Sequence, residues 1–213
     1  MRLTTAKALL LVCAITLCLA GTASGAGTSP TSRLAGVVDS STACGTKKLV
    51  QPFLPWADAA WYQLVPAGDF ETGAVGWALA GDARVYSGSE SFFVGSNGDK
   101  YSLRLRSGST AVSPSVCVSI DTPTFRLFVR NGGPADSALG IDVGADDGGP
   151  QTWTRVANVA GGSPWQPTQV LAIGVPAFML TKTGTASVQL RFTPTGSNAS
   201  WQIDDVYVDP FKR

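Results

Sequence analysis

Histidine is absent from the 213 residues, and only two glutamates, Glu71 and Glu90, stand among the 15 acidic side chains. Without histidine there is no base for a Ser-His-Asp or Cys-His nucleophile, and the commonest nitrogen ligand of zinc is missing. An Asp-Glu pair would still suffice for glycoside hydrolysis, with carboxyls about 5 Å apart for retention and further apart for inversion. Asp142, Asp146 and Asp147 lack the spacing of a calcium-binding EF-hand loop and read as a hairpin turn. No glycine-rich phosphate loop occurs, so nucleotide chemistry has no support. The remaining chemistry-bearing residues suit recognition. A sugar ring offers C–H faces and a rim of hydroxyls, which an aromatic platform and planar hydrogen-bonding groups complement. Trp153 and Trp165 stand beside turn signals and are the candidate platforms, whereas Trp77 and Trp201 are expected in the core. Arg126, Phe128, Arg130, Gln189 and Arg191 fall on the polar side of two strands. They would form one aromatic, donor-ringed face if those strands are neighbours, suited to an acidic or hydroxyl-rich glycan. A solvated outer face with scattered arginines is the competing reading.

The elements that must position these residues are strands. Tyr101, Leu103 and Leu105 alternate with Ser102, Arg104 and Arg106, and the same period of two runs through residues 125–130 and 188–193. Further strands are expected at 84–86, 115–120, 139–143, 153–159 and 201–208. Turn signals separate them at 107–108, 131–134, 147–150 and 161–164. No window carries a long amphipathic helix. About nine short strands at this spacing predict an all-β fold, a two-sheet sandwich.

The N-terminus reads as an export signal. Arg2 and Lys7 precede an apolar run over residues 8–20, followed by small residues, so 1–25 is expected to be a cleaved signal peptide. That run is too short to span a bilayer. Its removal leaves Cys44 and Cys117 of the four cysteines, and export makes a disulfide between them the expected state. In the chain-entropy model, closing that loop contributes about 4 kcal/mol. Loss of Arg2 and Lys7 leaves 14 basic residues against 15 acidic ones, a balance that predicts no nucleic-acid or membrane partner. Residues 26–43 are small and polar and read as a flexible leader. Residues 44–64 carry Phe53, Trp56, Trp61 and Tyr62 and read as an ordered arm with a short helical turn near 57–64. Residues 65–213 form the single principal domain.

Two short motifs bracket that domain. Gly68-Asp69-Phe70-Glu71-Thr72-Gly73, closed by Gly76-Trp77, is answered by Trp201-Gln202-Ile203-Asp204-Asp205-Val206. The pair resembles the opening and closing strands of family 4 and 9 carbohydrate-binding modules and their galactose-binding-like relatives, which are jelly rolls. With Cys44 and the segment Gln51-Pro52-Phe53-Leu54-Pro55-Trp56, the chain also looks like a family of small secreted bacterial proteins of unknown function. The resemblance implies a galactose-binding-like jelly-roll sandwich that holds a structural calcium ion where the end strands meet. It implies Glu71 and Asp204 or Asp205 as side-chain ligands, helped by the carbonyl of Asp69 and one from residues 96–100. Adjacent strand residues point to opposite faces, so only one of the two aspartates reaches an ion unless a bulge intervenes. The expected function is that of a secreted, extracellular, non-catalytic module binding cell-wall or extracellular polysaccharide. The alternatives are a structural or protein-interaction domain and, behind it, a polysaccharide hydrolase or lyase.

Overall fold

A computed structural model describes residues 48–119, 123–146, 148, 151–174 and 185–209. The expected signal peptide, leader, Cys44 and most of the 147–150 turn lie outside the described residues. Fourteen strands are described: β1 (Leu49–Val50), β2 (Tyr62–Leu64), β3 (Ala78–Ala80), β4 (Arg84–Ser87), β5 (Tyr101–Arg106), β6 (Thr110–Val112), β7 (Val116–Ser119), β8 (Thr124–Asn131), β9 (Ala138–Ala145), β10 (Trp153–Val159), β11 (Gln166–Pro167), β12 (Leu171–Ala172), β13 (Thr185–Thr195) and β14 (Ser200–Asp209). They form two antiparallel sheets. Sheet A runs β1-β2-β14-β5-β4, with β8 on β14 and β11 and β12 on β8. Sheet B runs β10-β9-β13-β6-β3, with β7 on β13. The architecture is the expected all-β sandwich.

Alternation on the long strands creates the core. Phe125, Leu127 and Val129 of β8 and Trp201 and Ile203 of β14 face Leu139, Ile141 and Val143 of β9 and Val188, Leu190 and Phe192 of β13 in one apolar cluster. Trp77 and Trp201 are both buried there, as their motifs predict. Burying each such side chain is worth about 1.5–3 kcal/mol, so this cluster is what holds the sheets face to face.

Three expectations are corrected. The opening motif is a run of turns over residues 66–76. It meets the closing strand at its start, where Val65 N–H donates to Val206 O and Val206 N–H to Gly68 O. Phe70 sits at φ 57° and packs beside Trp77, with ring centroids 5.1 Å apart. The arm's helical turn is a 3-10 turn at Leu54–Trp56, and the stretch placed in a helix instead ends in β2. The arm is therefore part of sheet A: β2 pairs with β14, and β1 with β2. Finally, β8 and β13 belong to different sheets, so Arg126, Phe128 and Arg130 do not share a face with Gln189 and Arg191.

The arm explains why Phe128 is buried although it points away from the main core. Phe53, Tyr62, Phe128 and Tyr207 form a second cluster on the outer side of sheet A. Phe53 stacks on Phe128 at 5.5 Å and meets Tyr62 edge-on at 5.0 Å. Arg126 fastens the arm. Its guanidinium donates to Thr168 O and to Asp58 Oδ2 at 2.8 Å, and lies 4.3 Å from the Phe53 ring centre. Tyr62 Oη donates to the same Asp58 oxygen at 2.7 Å. Burial alone would raise the Asp58 pKa, but the hydrogen bonds from Tyr62 and Arg126 outweigh it and hold the carboxyl below its ordinary value.

Candidate functional site

The outer face of sheet B gathers three of the residues singled out in the sequence. β9 turns Leu139, Ile141 and Val143 inward and therefore Gly140, Asp142 and Gly144 outward. Register places Trp153 opposite Gly144 and Gln189 on the other side of Gly144. In the next row, Arg155, Asp142 and Arg191 lie on β10, β9 and β13. Glycine at 144 is a requirement of close approach: a Cβ there would come within 2.8 Å of Trp153 Cε3 and 2.6 Å of Gln151 Nε2. The half-buried indole therefore rests on bare backbone. A Cβ on Gly140 would similarly run into the Arg155 guanidinium.

Asp142 organises this face. Arg155 Nε donates to its Oδ1, and Arg191 Nε to its Oδ2 at 3.0 Å. Burial alone would raise the Asp142 pKa, but hydrogen bonds from Arg155 and Arg191, with their charges, outweigh it and hold it low. Arg191 also lies 4.5 Å from the Trp153 ring centre. An anchored indole thus adjoins fixed donors and acceptors, with Gln189 one strand away. Asp142 and Arg155 are the members of this set that sequence reasoning passed over. Asp142 read as a turn residue, yet its place on the outward phase of 139–143 was already visible.

Arg130 lies on the opposite sheet, its guanidinium 5.8 Å from the ring centre of Trp165, which immediately precedes β11. Arg126 and Phe128 serve the arm and are withdrawn from solvent. A cleft of about 510 Å³ bordered by Val129, Val156, Asn158, Gln166 and Leu171 contains none of the residues predicted from sequence.

The acidic residues meet just past the end of β2, beside the middle of β14. Between Asp204 and Tyr207 the β14 register slips against β8, and Asp205 takes φ 48°. This bulge brings both aspartates into the interior, each 1% exposed, where a regular strand would have sent one away. Asp204 Oδ2 accepts from Glu90 N–H at 2.8 Å and Ser89 Oγ at 3.0 Å, and its Oδ1 from Asp205 N–H. Asp205 Oδ1 is buried with no hydrogen-bond partner. Burial, opposed by those hydrogen bonds, pushes Asp204 up to about 8. Burial and then the charges of Asp204, Glu90, Asp99 and Asp69 push Asp205 up to about 9. Glu90 is raised by burial, against hydrogen bonds from Phe92, Val94 and Phe93 N–H. Asp99 is raised by burial and by the charges of Glu71 and Asp69. Glu71 Oε1 accepts from Lys100 and Tyr101 N–H, both at 2.7 Å, closing the 96–100 loop onto the opening turns.

Among the described residues, no three Asp, Glu, Cys or His side chains converge as a ready metal cage. The donor set still fits a hard cation. A Cβ on Gly95 would lie 2.7 Å from Asp99 Oδ2 and 3.4 Å from Asp205 Oδ1, so two carboxylates converge on Gly95, one of them through its buried, unpartnered oxygen. Asp69, Asp99 and Asp205 also border a cleft of about 450 Å³. Asp99 was not foreseen as part of this group; only the 96–100 loop was.

No protein-family model and no curated protein matches the chain. Among solved structures, the chain is similar to a family 61 carbohydrate-binding module, TmCBM61, in complex with β-1,4-galactotriose (16% identity, 70% of this chain and 98% of that one, TM-score 0.44). It is similar to the CBM22-1 xylan-binding domain from Paenibacillus barcinonensis Xyn10C (19% identity, 68% and 93%, TM-score 0.48). It is also similar to a family 16 carbohydrate-binding module (14% identity, 68% and 99%, TM-score 0.45). These are families other than 4 and 9, which the end motifs resemble, and the likeness is one of fold.

Proposed function

We propose that the protein is a secreted, non-catalytic carbohydrate-binding module that takes a polysaccharide on the outer face of sheet B. The observation that supports this reading is Trp153 laid against Gly144, with Asp142 fixing Arg155 and Arg191 in the adjoining row. Both arginines on this face share one carboxylate, so each guanidinium is engaged and the trio keeps one net positive charge. Engaged guanidiniums suit a neutral chain whose sugar ring lies on the indole and whose hydroxyls meet Gln189, Arg155 and Arg191. Fixing these side chains before binding spares the ordering cost that loose ones would add.

In the same reading, calcium is a structural cofactor at the closing-strand bulge. Asp205 and Asp99 would hold it, with Asp69 beside them, and Glu71 would position the loop that carries Asp99. Calcium there would supply the positive charge that the buried carboxylates lack. Export would give the Cys44–Cys117 linkage its oxidising setting.

The test is calorimetry of the mature protein against neutral polysaccharides, xylan and β-1,4-galactan among them. Binding to one of them should weaken at least about tenfold in Trp153→Ala, as for a central aromatic anchor. A panel that stays blank, or binding that Trp153→Ala leaves intact, would refute this site. Turnover of any polysaccharide would refute the non-catalytic assignment.

A further inference from the structure

The outer face of sheet A, on the far side from Trp153, carries a cross-strand row that the proposed function does not use. Register aligns Arg84 of β4 with Arg104 of β5, Arg104 with Gln202 of β14, and Gln202 with Arg130 of β8. The inward neighbours Leu103, Leu105, Val129, Trp201 and Ile203 are in the core, so these polar residues share the opposite face. An aromatic ring stands near each end. Tyr86, 43% exposed, has the Arg104 guanidinium 4.2 Å from its ring centre, and half-buried Trp165 flanks Arg130.

The charges of this row are not balanced. Arg84 and Arg106 share Asp82. Among the described residues, neither Arg104 nor Arg130 has an ion-pair partner. Arg104 is nine-tenths buried, and its Nε and Nη2 have no hydrogen-bond partner; neither does the buried Nε of Arg130. A guanidinium withdrawn from water with its donors unmet is costly, and such a group in a native protein calls for an acceptor. Two strand spacings separate the two arginines, about 10 Å. With Tyr86 beside one guanidinium and Trp165 beside the other, Arg104 Nη1 and the two terminal nitrogens of Arg130 are the N–H groups outside the buried set that can meet an anion.

We propose that this row is a second saccharide site, specific for a carboxylate-bearing chain such as a polyuronate. The uronate carboxylates pair with Arg104 and Arg130, Gln202 bonds the hydroxyls between them, and Tyr86 and Trp165 pack on the sugar faces. The two faces of the sandwich then differ in kind. Sheet B, whose two arginines are both paired with Asp142, suits an uncharged chain, and sheet A, where Arg104 and Arg130 lack a carboxylate among the described residues, suits an acidic one.

Tetragalacturonate and its methyl ester are the probes, titrated into the mature protein by calorimetry at low and high salt. The acid should bind at least about tenfold more tightly than the ester, the difference expected from charge-assisted hydrogen bonds, and its affinity should fall as salt rises. Arg130→Gln should weaken the acid about tenfold, and Arg104→Gln should do the same where its melting curve shows a folded protein. Equal affinity for acid and ester, no binding of the acid, or an unchanged affinity in Arg130→Gln would overturn the proposal. These readings do not depend on whether the Trp153 face binds a neutral chain.

Discussion

Without a bound cation, the protein should become less stable as pH rises from 5 to 7, the reverse of what ordinary carboxylates produce. The carboxyls of Asp204 and Asp205 are pushed up to about 8 and about 9, whereas in the unfolded chain they titrate near 3.8. Between those values the folded state holds protons that the unfolded state has released, so unfolding is favoured as pH increases. Each such proton contributes a slope of about 1.4 kcal/mol per pH unit. For a domain of this size that is about 3–5 °C of melting temperature per pH unit per proton. Glu90 and Asp99, also raised, act in the same direction. Below about pH 4 the sign reverses, because the depressed carboxyls of Asp58 and Asp142 lose their stabilising charge as pH falls through their folded-state values. The chelated protein should therefore be most stable in moderately acidic buffer. Calcium bound there would take the place of the protons, flatten the slope, raise the melting temperature most at neutral pH, and release protons on binding. Scanning calorimetry from pH 3 to 7.5, with chelator or with millimolar calcium, reads all of this. A chelated melting temperature that is flat or rising between pH 5 and 7 would refute the buried protonated pair. An Asp205→Asn variant that keeps the full slope would do the same. Coincident curves with and without calcium would rule out a stabilising ion.

Other outcomes follow from single contacts. Arg126→Ala should cost about 3–5 kcal/mol by stranding Asp58 under the arm, which denaturant melts would show; Asp58→Asn should also destabilise, since it leaves the buried Arg126 charge unpaired, but by less, because the guanidinium keeps its hydrogen bonds to Thr168 O. Gly144→Ala should lift the Trp153 ring from the sheet and reduce neutral-polysaccharide binding with little loss of melting temperature; unchanged affinity would show that the contact does not set the platform. Non-reducing peptide mapping of exported protein should link Cys44 to Cys117, and free thiols at both would dispose of the disulfide.

Period-two alternation reported strand phase wherever one face met the core and the other met water. Residues 101–106, 125–130 and 188–193 were thus legible, and the end motifs placed Trp77 and Trp201 inward. Short edge strands such as β3, β11 and β12 are two or three residues long, too few for a period to register. The arm was legible as apolar, but its strand pairing was not, because β2 takes its register from β14, more than 130 residues away. The candidate sites divide along the same line. The sequence by itself determined which residues point away from the core, including Trp153, Arg126, Phe128, Arg130, Gln189 and Arg191. Only the tertiary structure decided who stands beside whom. Sheet assignment put Arg130 and Arg191 on opposite sides of the sandwich, and the arm turned Phe128 from a surface ring into a buried one. The bulge at Asp205 drew two adjacent aspartates into one interior. Alternation is a property of a single strand and is written in its residues, whereas neighbours across a sheet are chosen by the chain's long-range pairing, which no local spacing records.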